Sequence, residues 1–193
     1  MLCSLMLCML MPGDAMAQTS ASAGAGAAPS PAGTREANVR QVVLGIVSFT
    51  RWPTPPAKVR LCVIGNTDYA RDLLTPPAGQ ASGNTSNTGN AGVAPPVDVQ
   101  RVSATEPAIG SLCDALYLGA VSDTERRAVL AALAGHPVLT ISERNDSCTL
   151  GTMFCLNVDT DRVTFDINLD TVARSGVRVH PNVLKLARKP GTP

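Results

Sequence analysis

The sequence predicts an α/β protein: a single compact domain with a mixed, mostly parallel sheet flanked by helices, a C-terminal antiparallel hairpin and two disulfides. Three observations predict it. Short β-rich runs alternate with helix-patterned segments through the middle of the chain, the last third turns to paired strands, and four cysteines remain once an export leader is set aside.

Residues 1–17, MLCSLMLCMLMPGDAMA, read as a signal peptide: a short apolar run, a helix-breaking Pro12-Gly13 and a small-residue cleavage pattern at Ala15-Met16-Ala17. A basic n-region is missing, which is expected if this start lies inside a longer leader. The apolar run is also too short to span a bilayer. Residues 18–34 are nearly all Ala, Gly, Ser, Pro and Thr, a composition that cannot offset the entropy of folding, so a tether is expected there.

The domain is expected over residues 35–189, with a short tail at 190–193. From Glu36, apolar residues at Val39, Val42, Val43, Ile46, Val47 and Phe49 fall at helical spacing, and Pro53 closes the segment. Val59–Ile64 is a strand, followed by a short helix through Leu74 that Thr67 is placed to cap. Residues 75–96 contain GQASGNTSNTGNAG, which has no periodicity and reads as a surface loop insertion. Val97–Val102 alternates like a strand, and Asp114–Leu118 reads as a strand buried on both faces. Ser122-Asp-Thr-Glu125 is a capping box opening a helix that Gly135 ends, and Val138–Ile141 is the next strand. Thr152–Val158 and Arg162–Asn168, joined at Asp159-Thr160-Asp161, form the hairpin expected at a sheet edge. Asp170 is placed to cap a helix ended by Gly176, and Asn182–Arg188 supplies a final turn or two.

Composition excludes several functions. With 16 basic and 15 acidic residues the chain carries a net charge of +1, no field to attract nucleic acid or an anionic membrane. Neither G-x-S-x-G nor H-E-x-x-H occurs, and both histidines directly precede proline, so no catalytic residues, no cofactor and no enzyme activity are expected. A zinc site is not expected, because Cys62, Cys113, Cys148 and Cys155 lack knuckle spacing and only His136 and His180 could assist. Asp159 and Asp161 are read as turn formers and not as calcium ligands.

In an oxidising compartment an even number of cysteines should pair. Four allow three connectivities, and sequence alone does not choose among them. Cys148 and Cys155 are close enough to clip the approach to the hairpin, which leaves Cys62 and Cys113 by elimination. Two basic-plus-aromatic clusters remain, Arg51-Trp52-Pro53 and Arg174–Pro181. The second puts two guanidinium groups and an imidazole within reach of a carboxylate or phosphate.

Over about residues 35–189 the chain resembles the YfiR family, through REANVRQVVLGIVSFTRWP, LCVIG, CDALYLG, PVLTIS, GTMFCLNV and above all FDINLDTVARSGVRVHPNVLKLAR. It departs from the family in the insertion after Pro77, and Asp166 stands where Glu is more usual. The resemblance implies a periplasmic, dimeric domain with two intrachain disulfides. It implies repression of an inner-membrane, YfiN-like diguanylate cyclase through contact with its periplasmic part, lowering cyclic-di-GMP and biofilm formation, with release by an outer-membrane, YfiB-like lipoprotein. Carried over by motif, Phe154, Asp166 and Arg174 face the partner. Arg51, Arg178 and His180 could form a small-ligand pocket, which is the basis of the alternative reading as a periplasmic small-molecule sensor.

Overall fold

The computed structural model describes residues 31–75, 95–143, 148, 151–160 and 162–187, with 31–34 by backbone alone. The expected signal peptide, most of the tether, nearly all of the 75–96 insertion, Asp161 and the 190–193 tail lie outside these residues.

Helix α1 (Pro31–Ser48) leads into β1 (Thr50–Arg51), β2 (Val59–Ile64), α2 (Arg71–Leu74), β3 (Val97–Arg101), α3 (Ile109–Leu112) and β4 (Ala115–Leu118). Then come α4 (Asp123–Ala132), β5 (Leu139–Ser142), β6 (Phe154–Val158), β7 (Val163–Ile167), α5 (Leu169–Arg174), β8 (Arg178–Val179) and a 3-10 helix (Pro181–Ala187). Six strands form one sheet in the order β3-β2-β4-β5-β6-β7, parallel from β3 to β6 and closed by the antiparallel β6–β7 hairpin. The expected mixed sheet, its edge hairpin and both disulfides are present.

The sheet is covered on both faces, which is why its central strands read as apolar runs. Side chains alternate across a strand. Leu61 and Val63 of β2, Ala115 and Tyr117 of β4, and Leu139 and Ile141 of β5 therefore join Val39, Val43, Ile46 and Val47 of α1 in one cluster. Cys62, Ile64, Leu116 and Leu118 point the other way, onto Ile109 of α3 and Val129 and Leu133 of α4. The second cluster encloses the Cys62–Cys113 disulfide, with Cα atoms 5.8 Å apart. The Cys148–Cys155 disulfide, 5.6 Å between Cα atoms, joins the loop before the hairpin to β6.

The local signals fared unevenly. The capping box of α4 is complete: Ser122 Oγ accepts from the Glu125 N–H, and the Glu125 carboxylate accepts from the Ser122 N–H. Helix α1 begins at Pro31, inside the expected tether, where proline is tolerated because first-turn N–H groups have no helical partner. Thr67 caps no helix. Helix α2 starts at Arg71 after Ala70 with no side-chain cap, and the Glu143 carboxylate accepts from the N–H groups of Asp68 and Tyr69 in the turn before it. Asp170 is not the cap of α5 either, since Asn168 Oδ1 accepts from the Thr171 N–H. Helix α3 and the two-stranded sheet β1–β8 were not expected.

Candidate functional site

In an open parallel sheet, ligands usually bind beyond the carboxyl ends of the strands, where the chain order reverses. Here the chain leaves β2 for β3 on one side and returns to β4 on the other, so the crevice would lie past Ile64 and Leu118. Backbone closes it. The Asn66 N–H donates to the Ala120 carbonyl at 3.1 Å, and the Ala120 N–H donates back at 2.6 Å. Glycine permits the approach, for a Cβ at Gly119 would lie 2.2 Å from the Asn66 oxygen.

Beside this closure sits a buried carboxyl. Glu143 is 3% exposed, and its Oε1 accepts from the Asp68 and Tyr69 N–H groups at 2.6 and 2.8 Å. Its Oε2 and the hydroxyl of fully buried Tyr117 have no hydrogen-bond partner among the described residues. Burial pushes Glu143 above the usual carboxylate range, outweighing the two N–H donors, and the Asp68 charge pushes the same way. Burial likewise raises the Tyr117 phenol, with the Glu143 charge adding to it. The arrangement ties the end of β5 to the β2–α2 turn.

The residues expected to bind a small ligand do come together. In the β1–β8 pair Arg51 lies directly opposite Arg178, and the His180 N–H donates to the Phe49 carbonyl, extending the ladder by one residue. Alternation then places Phe49, Arg51, Arg178 and His180 on one face of the ribbon, where Phe49 and His180 stack with ring centroids 6.3 Å apart. The Arg51 guanidinium donates to two carbonyls, that of Ser48 at the end of α1 and that of Thr50 in β1. Arg178 has no acidic partner among the described residues. Like charges directly opposite destabilise a strand pair, and Arg51 and Arg178 stand so here.

A second concavity, of about 340 Å³, is lined by Trp52, Pro53, Pro55, Arg60, Cys113 and Asp114, among others. Its charged groups are already paired, because Arg60 makes two side-chain hydrogen bonds to the Asp114 carboxylate. Burial alone would raise Asp114, but the bonds from Arg60 prevail and hold it below its ordinary value.

The residues expected to face a partner separate into two groups. Phe154 is 0% exposed and packs edge-on against Phe165 with centroids 5.5 Å apart. It is a core residue, and the expectation of an exposed anchor is corrected: β6 lies between β5 and β7, and α1 covers this face. Asp166 and Arg174 are exposed, Asp166 accepting from the Asn157 amide at 3.0 Å and Arg174 paired to Asp170. Between them in the chain stands Leu169, 73% exposed and the most exposed large apolar side chain described. Sequence reasoning missed it. No local signal marked it, since its spacing of three from Val172, which packs on the core, would put both on one helix face.

Among the described residues no group of His, Cys, Asp or Glu could hold a metal ion. No described helix is long and apolar enough to cross a membrane. The family model described as YfiR/HmsC-like (DUF4154) matches residues 36–188.

Proposed function

Because the chain belongs to the YfiR/HmsC-like family, we propose that it is an exported regulator of cyclic-di-GMP signalling that represses a membrane-bound diguanylate cyclase by contact, without chemistry of its own. The observation that carries this reading is the surface from β7 to α5. Leu169 stands there in water, between the exposed Asp166 and Arg174. An exposed apolar side chain flanked by charges suits a partner interface, where the apolar group is desolvated and the charges set register. Two disulfides fit an oxidising compartment, the periplasm in a family member of this kind. On this reading the cyclase's periplasmic part covers Leu169, and an outer-membrane lipoprotein that sequesters the chain lifts repression.

The test is cyclic-di-GMP measured in cells carrying the cyclase, with the chain supplied as wild type, Leu169→Glu, Asp166→Ala or Arg174→Ala. Repression should fail in Leu169→Glu and weaken in the others, while their melting temperatures stay near wild type. Full repression by all three variants would sink the reading.

The opposed Arg51 and Arg178 favour a second reading in which the same protein senses a small anionic metabolite. A metabolite panel should then raise the melting temperature of the wild type and leave Arg178→Ala unmoved. A panel without a shift, or one that shifts both proteins equally, removes the site.

A further inference from the structure

Helix α5 presents Leu169 as its first residue, yet it has no buried residue of its own to hold it in place. Val172 packs on the core but is only half-buried, and the Arg174–Asp170 pair is exposed, where an ion pair stabilises little. Hydrogen bonds must therefore fix where Leu169 stands. They converge on Asn168, between β7 and α5. Its N–H donates to the Met153 carbonyl at 2.9 Å, beside the start of β6, and its carbonyl accepts from the Val172 N–H at 3.0 Å. Its Oδ1 accepts from the Thr171 N–H at 2.9 Å, and its Nδ2 donates to the Cys148 carbonyl at 3.0 Å. One side of the amide meets an N–H and the other a C=O, so its orientation is fixed. Cys148 is in turn bonded to Cys155 of β6. The Asn168 side chain thus links α5 to a point held covalently on the sheet.

We propose that Asn168 is the positioning residue of the partner surface, its Nδ2 bond to the Cys148 carbonyl fixing the direction in which α5 presents Leu169. The proposal rests on the reading of Leu169 as the residue that meets the partner. Capping and positioning are separable duties of one amide. Aspartate and serine cap a helix about as well as asparagine does, through an oxygen alone. Ionised aspartate, however, has no donor and would set a second oxygen against the Cys148 carbonyl. Serine has one oxygen in place of two oppositely facing atoms. A residue needed only as a cap would tolerate both replacements, whereas a residue needed to tie α5 to Cys148 would tolerate neither.

The experiment compares Asn168→Asp with the wild type in the oxidised chain, with Asn168→Ser as a second variant and Leu169→Glu alongside. Melting temperature and hydrogen exchange of the Thr171 and Val172 amides should stay near wild type, because the cap remains. Amide relaxation by NMR should show Leu169 and Asp170 more mobile. Cells carrying the cyclase should need about fivefold more chain for half repression, the weight of one hydrogen bond. With Cys148 and Cys155 both replaced by serine, Asn168→Asp should add nothing further, because the Cys148 carbonyl is no longer held on the sheet. If both Asn168 variants repress as the wild type does while Leu169→Glu fails, the positioning role is lost and the partner reading stands. Full repression by Leu169→Glu sinks the partner reading, and with it the surface that Asn168 would position. Unchanged relaxation in both Asn168 variants, or effects that simply add to those of the cysteine replacements, would also overturn the proposal.

Discussion

Phe154 and Glu143 show how much a single side chain can decide. Phe154 fills the core beside Phe165, so Phe154→Ala should cost about 3–5 kcal/mol and lower the melting temperature sharply. Asp166→Ala should leave melting near wild type, since its carboxylate is exposed. If Phe154→Ala melts as the wild type does, the burial assigned to it is wrong. The case of Glu143 turns on sign. Its proton is held more tightly in the folded chain than in the unfolded one, so its contribution to stability is greatest at acid pH and is lost as pH rises through the raised folded value. Denaturant midpoints should therefore show a loss on going up from about pH 4, and Glu143→Gln should flatten that loss. Glutamine keeps the oxygen that accepts from Asp68 and Tyr69. A Gln variant with the same pH slope as the wild type would show that another group carries it. The role of Glu143 could not be read from sequence, and that of Phe154 only as one of two readings, core or partner face. Along β6 the residues from Phe154 to Leu156 are all buried, so alternation could not say which face is core. The cap on the β2–α2 turn comes from a carboxylate 75 residues away from Asp68, out of reach of any local pattern.

At the level of elements, legibility follows the range of the forces involved. The capping box of α4 could be read from four consecutive residues because both of its hydrogen bonds close within them. Ser122→Ala should accordingly cost about 1 kcal/mol, as a change in thermal midpoint with α4 still formed. The central strands were legible because helices cover both faces and leave few polar positions, Arg60 of β2 and Thr140 and Ser142 of β5 among them. The β1–β8 ribbon was not, for it pairs Thr50 with Val179 across most of the chain and has two residues in each strand. The candidate ligand residues were carried over by motif from the family resemblance, and the structure supplied the ribbon that aligns them. The Cys148–Cys155 clip closes a loop of seven residues' separation and holds Cys148 at φ 47°, a left-handed conformation that non-glycine residues adopt at a cost. Replacing both cysteines by serine should cost on the order of 2–3 kcal/mol. If repression in cells depends on this clip, the double variant should also derepress the cyclase under oxidising conditions. Unchanged repression would make the bridge a staple and nothing more.

The described residues form a sheet whose crevice is closed by backbone, a ribbon apart from that sheet with two opposed arginines, and a charged edge beside the exposed Leu169. The overall class was legible because strand and helix patterns alternated and four cysteines had to pair. The distribution of sites was not, since it depends on which strand ends the sheet. The Cys62–Cys113 bridge also bears on time. Cys62 lies opposite Leu116 in the parallel β2–β4 ladder, so the bond, at a sequence separation of 51, ties the two strands together close to their native register. Meeting across that distance is the slow part of building a parallel sheet, because loop closure comes before any pairing reward. A chain unfolded in denaturant with this bond intact begins with that search already done. On dilution it should regain structure at least tenfold faster than the same chain with the bond reduced, the bond being worth on the order of 4 kcal/mol of chain entropy. Equal refolding rates in stopped-flow mixing would place the slow step outside β2 and β4. The bond would then act as a stabiliser of the finished sheet and not as a guide to its assembly.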